Sequence, residues 1–283
     1  MKILLLRTLA IVPWILIAGC NESSDSTAKA TRPDKDPYPS TYSIPDNAKF
    51  AILRANILTG DGAELRNTDL LISGGKIVAL GTNLDLDDSV SRIDATGKWV
   101  TPGLIDVHSH MGVYSAPGTA NHSDGNEMTS PVTAEVWAEH SVWPEDPQFE
   151  KALAGGVTTV QILPGSGNLI GGRGVTLKNI PSVTVQGMKF PNAPYSLKMA
   201  CGENPKRVYG SRNTLPSTRM GNMAGYRTAW IEASDYKKSW DDYIDDTKAG
   251  KDVDPPSRNL RLETLAGVLE GDICIHNHCY KAD

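Results

Sequence analysis

Thr101-Pro102-Gly103-Leu104-Ile105-Asp106-Val107-His108-Ser109-His110 is the stretch whose reading decides the fold. Pro-Gly punctuates its entry, and Leu104 to Val107 reads as a buried strand that delivers two histidines, one residue apart, at its end. Side chains alternate along a strand, so His108 and His110 point to the same face and can grip one metal ion together. Neutral imidazole suits zinc, and a catalytic site keeps one coordination position open for water, so the pair reads as the anchor of a hydrolytic centre.

Downstream the texture is that of an α/β chain. Ser115 to Ser130 is polar and glycine-rich and reads as a long loop beside the site. Phe149 to Ala154 is helix-like and runs into Gly155-Gly156, and Val157 to Leu163 is a β-branched strand closed by Pro164-Gly165. Gly165 to Gly174 reads as a glycine-rich loop before a strand at Val175 to Lys178. It lacks the Gly-Lys-Ser/Thr ending of a phosphate-binding loop. Ser196 to Gly202 is another short strand, Asn204 to Met223 reads as basic and turn-rich, and Leu260 to Glu270 has helical spacing stopped by Gly271. Asp272-Ile273-Cys274-Ile275-His276-Asn277-His278-Cys279-Tyr280 is then a second strand ending in paired histidines.

Upstream, Phe50 to Val100 alternates short strands with tight turns. Ser73-Gly74-Gly75-Lys76 between Asp69–Ile72 and Ile77–Leu80 is a hairpin signal. Residues 21–47 are rich in Ser, Thr, Lys, Asp and Pro and read as a flexible tether. Residues 1–20 have the order of a secretory signal: early positive charge, an apolar run, then Leu16-Ile17-Ala18-Gly19-Cys20, which looks like a bacterial lipobox. Cys20 would be lipidated, and Asn21 is not the aspartate signal that retains lipoproteins in the inner membrane. The expected location is therefore the bacterial cell envelope, lipid-anchored through Cys20 to the outer membrane and facing the periplasm. A net charge of -5 gives no basic surface for nucleic acid. Cys201, Cys274 and Cys279 remain in a compartment that permits disulfides, and their pairing cannot be read from the sequence.

Pro-Gly-Leu-Ile-Asp-Val-His-Ser-His following a small β module resembles the metal-dependent amidohydrolase superfamily, closest to its imidazolonepropionase-related branch. Gly155-Gly156-Val157-Thr158-Thr159-Val160 and Ser73-Gly74-Gly75-Lys76-Ile77 are similar to strands of that family. The resemblance implies an α/β fold: a partial (β/α)8 TIM-like barrel over residues 103–283 with an N-terminal β-sandwich part over 48–102. It also implies a site at the C-terminal ends of the barrel strands. The metal ligands implied are His108 and His110, then Lys198, carboxylated so as to bridge two ions, and a histidine of the fifth strand. An ordinary surface lysine is the competing reading of Lys198. His278 is preferred for the last ligand because it lies nearer the strand end, with His276 on the same face as the alternative. His122 and His140 read as solvated or core histidines.

The family's sixth-strand histidine and its proton-moving aspartate have no counterpart before residue 283, so the resemblance implies a fragment with the catalytic aspartate beyond it. The expected function is a metal-dependent hydrolase of amide or cyclic-amide carbon–nitrogen bonds, working on a small-molecule substrate through water activated by one or two divalent ions, zinc first among them. Arg207, Tyr209 and Arg212 are candidates for binding an anionic substrate, against the reading of a plain solvated loop. Two other functions compete: a mononuclear deaminase of the same superfamily, which would not need Lys198, and a non-catalytic lipid-anchored binding protein.

Overall fold

The structure is a computed structural model and describes residues 30–44 and 49–280. Cys20 and the signal assigned to residues 1–20 lie outside the described residues.

The first sheet holds β1 (Phe50–Leu58), β2 (Glu64–Ser73), β3 (Lys76–Gly81), β4 (Ser91–Asp94) and β5 (Trp99–Val100). Its order is β3-β2-β1-β4, with β5 pairing β1 in parallel. The β2–β3 hairpin turns where the sequence predicted it, because Gly74 and Gly75 take φ of 57° and 72°, a left-handed pair that favours glycine. Apolar side chains cover both faces: Ala55, Ile57, Leu70 and Ala95 form one cluster, Ala51, Leu71 and Val90 another. Among the described residues this part is one sheet; the second layer of a sandwich is not seen.

The second sheet holds β6 (Leu104–Ser109), β7 (Val157–Ile162), β8 (Ile170–Lys178), β9 (Ser196–Ala200) and β10 (Cys274–His278), in the order β10-β9-β8-β7-β6. It curls as an open half-barrel. β6 and β7 pair in parallel, as do β9 and β10, but β8 runs antiparallel to both of its neighbours. This corrects the expected regular alternation of parallel strand and helix. It also corrects the reading of Gly165 to Gly174 as a loop, since the strand begins at Ile170. The glycines are there for close approach: a Cβ on Gly172, whose φ is +109°, would stand 2.3 Å from the Val136 carbonyl oxygen.

Among the described residues five α-helices accompany this sheet: α1 (Pro147–Ala154), α2 (Val185–Met188), α3 (Glu203–Gly210), α4 (Arg219–Lys248) and α5 (Leu260–Leu269). α1 starts where its residues say it should: the Asp146 carboxylate accepts from the Gln148 N–H, and Pro147 sits in the first turn. α3 and the start of α4 replace the turn-rich segment expected over 204–223. Val160, Ile162, Leu177, Leu197, Ala233 and Leu265 pack into one core with no accessible surface, and β9 is buried along its whole length. Among the described residues the two outer strands are not covered, which corrects the expected burial of Leu104 to Val107: Ile105 is 66% and Val107 60% exposed on β6, and Ile275 is 51% exposed on β10. Among the described residues no helix is long and apolar enough to cross a membrane.

Residues 30–44 are an ordered strap, which corrects the tether reading for that part of 21–47. Lys189, almost fully buried, donates to the Asp36 carboxylate (2.6 Å) and the Tyr38 carbonyl (2.7 Å), and pairs with buried Glu139 at 3.2 Å. Arg173 donates to the Lys35 carbonyl (2.9 Å), Thr41 donates its N–H to the Gln186 carbonyl (3.0 Å), and Arg32 and Lys35 pair with Glu270. A segment too polar to fold alone is held because a finished core presents it with buried charges that need partners.

Candidate active site

The parallel strands β6, β9 and β10 end on the same side of the second sheet, and side-chain alternation sets what they offer there. His108 lies on β6 and His110 just beyond it. Lys198 lies on β9, and the ladder pairs it with His276 and Ala200 with His278, so both β10 histidines share its face. The structure gathers these five side chains. The His108 ring centroid stands 5.2 Å from His110, 4.9 Å from His276 and 6.0 Å from His278, each pair edge to face. Of the two candidates on β10, His276 is therefore the nearer to His108, although His278 is nearer the strand end.

Lys198 has no accessible surface, so it is not an ordinary surface lysine. Its Nζ donates to His108 Nε2 at 3.0 Å, and no carboxylate faces it among its described partners. Burial lowers the amine to about 8. The imidazoles move the same way: burial, then the Lys198 charge, then neighbouring rings hold His108 down at about 4. Burial lowers His110, His276 and His278 too, with Lys198 adding to each. The four imidazoles are thus neutral nitrogen donors at neutral pH, beside an amine that is still protonated there.

Their orientation is fixed from behind. His110 Nδ1 stands 2.8 Å from the Leu163 carbonyl, which can only accept, so Nδ1 carries the proton and Nε2 offers its lone pair. Ser166, on the loop after β7, meets His278 Nδ1. Tyr280 lies 4.7 Å from the His278 ring and Tyr114 5.8 Å from His110. Sequence reasoning missed Leu163, Ser166, Tyr114 and Tyr280. Ser166 carried a signal, since it follows a predicted strand end inside a glycine-rich loop.

Arg207, on α3, and Arg212 line a cavity of about 530 Å³ together with Asn126, Ser166 and Asn204, so the cavity reaches the His278 side of the cluster. Tyr209 does not join it. It is 2% exposed and donates to the Ser130 carbonyl at 2.6 Å, so it is a core residue and its assignment to substrate is corrected. His122 stacks on Trp143 and His140 lies beside Tyr38 and Trp137, both apart from the cluster. Cys201 and Cys279 form a disulfide, leaving Cys274 free and exposed. Among the described residues no three His, Cys, Asp or Glu side chains are drawn together at the spacing of a formed metal centre.

Comparison with known proteins agrees with this arrangement. A crystal structure of an amidohydrolase from Thermotoga maritima MSB8 superposes with a TM-score of 0.75 at 38% identity, covering 83% of this chain and 59% of that one. The chain is a relative of the amidohydrolases. Amidohydrolase tasK of Hapsidospora irregularis is 34% identical over 230 residues, covering 76% of this chain and 23% of that protein. An imidazolonepropionase from Agrobacterium fabrum is 27% identical over 229 residues, covering 80% of this chain and 49% of the relative. This amidohydrolase relative therefore spans 23% to 49% of the curated proteins named here. No family model matches the chain.

Proposed function

We propose that this amidohydrolase relative supplies the metal-holding part of a hydrolase that cleaves amide or cyclic-amide carbon–nitrogen bonds in a small-molecule substrate. The observation that carries the reading is the meeting of His108, His110, His276 and His278 with the acid-free Lys198 at the ends of parallel strands. The donor set fits a divalent ion, zinc first, because the imidazoles are neutral and His110 has its second nitrogen anchored on a backbone carbonyl, as metal-bound histidines do. His108 and His110 would hold one ion. His278, with the closer His276 as the competing ligand, would hold a second. Lys198, whose amine burial makes easier to deprotonate than a free lysine, would join as its carboxylated form.

A divalent ion held by these residues would supply a water whose pKa falls toward neutrality. The rest is the work of the chain. Leu163 holds His110 in one tautomer, Ser166 orients the His278 ring, and burial disfavours protonation of the nitrogen lone pairs. Arg207 and Arg212 present cations to an anionic part of the substrate from the adjoining cavity. We also propose the cell envelope, with Cys20 lipidated, as the location; the Cys201–Cys279 disulfide supports an oxidising compartment.

Elemental analysis of the purified protein, beside a Lys198→Ala variant, tests the reading. About two ions per chain, falling in the variant, is the expected result. One ion insensitive to Lys198 would support the mononuclear deaminase, and no ion would overturn the hydrolase in favour of a binding protein.

A further inference from the structure

Among the described residues β10 has one neighbouring strand. β9 holds it on one side, and its outward residues Ile275 and Asn277 are exposed. Its end carries two of the five side chains of the candidate site. The ladder runs from Cys274 against Ser196 to His278 against Ala200, and the Cys201 N–H then adds one more bond to the His278 carbonyl at 3.0 Å. The next residue pair is covalent: Cys201 follows β9 directly, Cys279 follows β10 directly, and their Cα atoms are 5.1 Å apart. The bond therefore lies one residue from His278 and three from Lys198. It is also reachable, since Cys279 is exposed and Cys201 lines an open cavity of about 790 Å³ with Tyr226 and Tyr280.

We propose that the Cys201–Cys279 disulfide is a redox-addressable positioning element of the candidate site: closed, it keeps His276 and His278 in register with Lys198, and opened by a dithiol it lets them go. A reductant thiolate attacks one of the two sulfurs and expels the other as a thiolate. The reductant's second thiol then resolves the mixed disulfide. The products are two cysteine thiols and the reductant's own disulfide, with two electrons passed to the protein. Cys274, at the far end of β10, takes no part. The proposal rests on the reading of the site as a divalent-ion centre.

Zinc affinity of the metal-stripped full chain, measured by competition with a chromophoric chelator, compares the oxidised protein with the Cys201→Ser/Cys279→Ser variant, which adds no thiol that could itself hold zinc. The expected result is binding at least about ten-fold weaker in the variant, the scale on which outer supports of metal ligands act. Hydrogen exchange should quicken over residues 275–279 while β6 and β7 stay protected. Phosphine-reduced wild type gives the same exchange comparison should the serine pair fold poorly. Equal zinc affinity with unchanged exchange overturns this proposal and leaves the ion centre standing. No zinc in either form overturns the ion centre and this proposal with it.

Discussion

Lys198→Met tests the electrostatics of the site without requiring any ligand. The side chain has no accessible surface, no described carboxylate faces it, and burial takes its amine from 10.5 to about 8. Below pH 8 both the folded and unfolded chains carry the proton, and the folded state bears a desolvated charge. Between pH 8 and 10.5 the unfolded chain binds more protons than the folded one, so stability rises with pH through that window. Above it the penalty is gone. At about 1.4 kcal/mol per pKa unit the cost to the wild type is about 3 kcal/mol at pH 6.5 and about 1.4 kcal/mol at pH 9.5. Methionine keeps the apolar stem and removes the charge, while losing the hydrogen bond to His108, worth about 1 kcal/mol. Urea unfolding of the metal-stripped proteins should therefore find the variant about 2 kcal/mol more stable at pH 6.5, with the advantage nearly vanishing at pH 9.5. A variant less stable than wild type at pH 6.5, or a difference that does not change with pH, would refute the picture of an uncompensated buried amine.

Three further outcomes follow from the same structure. In the metal-free protein the His108 ring should titrate near pH 4, followed by its carbon-bound proton resonances, and a midpoint near 6.5 would mean that burial and Lys198 do not act on it. Lys189→Met strands the buried Glu139 carboxylate and should cost about 3 to 5 kcal/mol in chemical denaturation. The same variant should release the strap, seen as faster chymotryptic cleavage after Tyr42; unchanged stability and cleavage would show that the ion pair does not hold it. Gly172→Ala combines a positive φ with a blocked approach to the Val136 carbonyl and should lower stability by about 2 kcal/mol or more, whereas a loss under about 0.5 kcal/mol would show that β8 has room to shift.

What the sequence disclosed was what short-range rules control. Alternation along Leu104–His110 and again along Cys274–His278 placed four histidines on shared faces, the Gly74-Gly75 pair marked a hairpin, and Gly155-Gly156 marked the end of α1. What it concealed depends on partners far away in the chain. The direction of β8 is set by pairing with β7 and β9, and its glycines look like loop residues until Val136 and Ser196 are seen against them. The strap looks disordered by composition because its stabilising partners, Arg173, Lys189 and Glu270, lie more than 100 residues downstream. Tyr209 shares a helix with Arg207 but faces the core, and local spacing could not say which side the core would take. Between His276 and His278 alternation is silent, since residues two apart on a strand share a face.

The strap also bears on where this protein can be cut. A shortened soluble version begun at residue 48, after the low-complexity segment, would look sound by composition. It would, however, strip the Asp36 carboxylate and Tyr38 carbonyl from Lys189 and the Lys35 carbonyl from Arg173, leaving two cations in the interior short of acceptors. A version begun at or before residue 30 keeps them, so the usable boundary lies about eighteen residues earlier than composition suggests, inside what resembles a spacer.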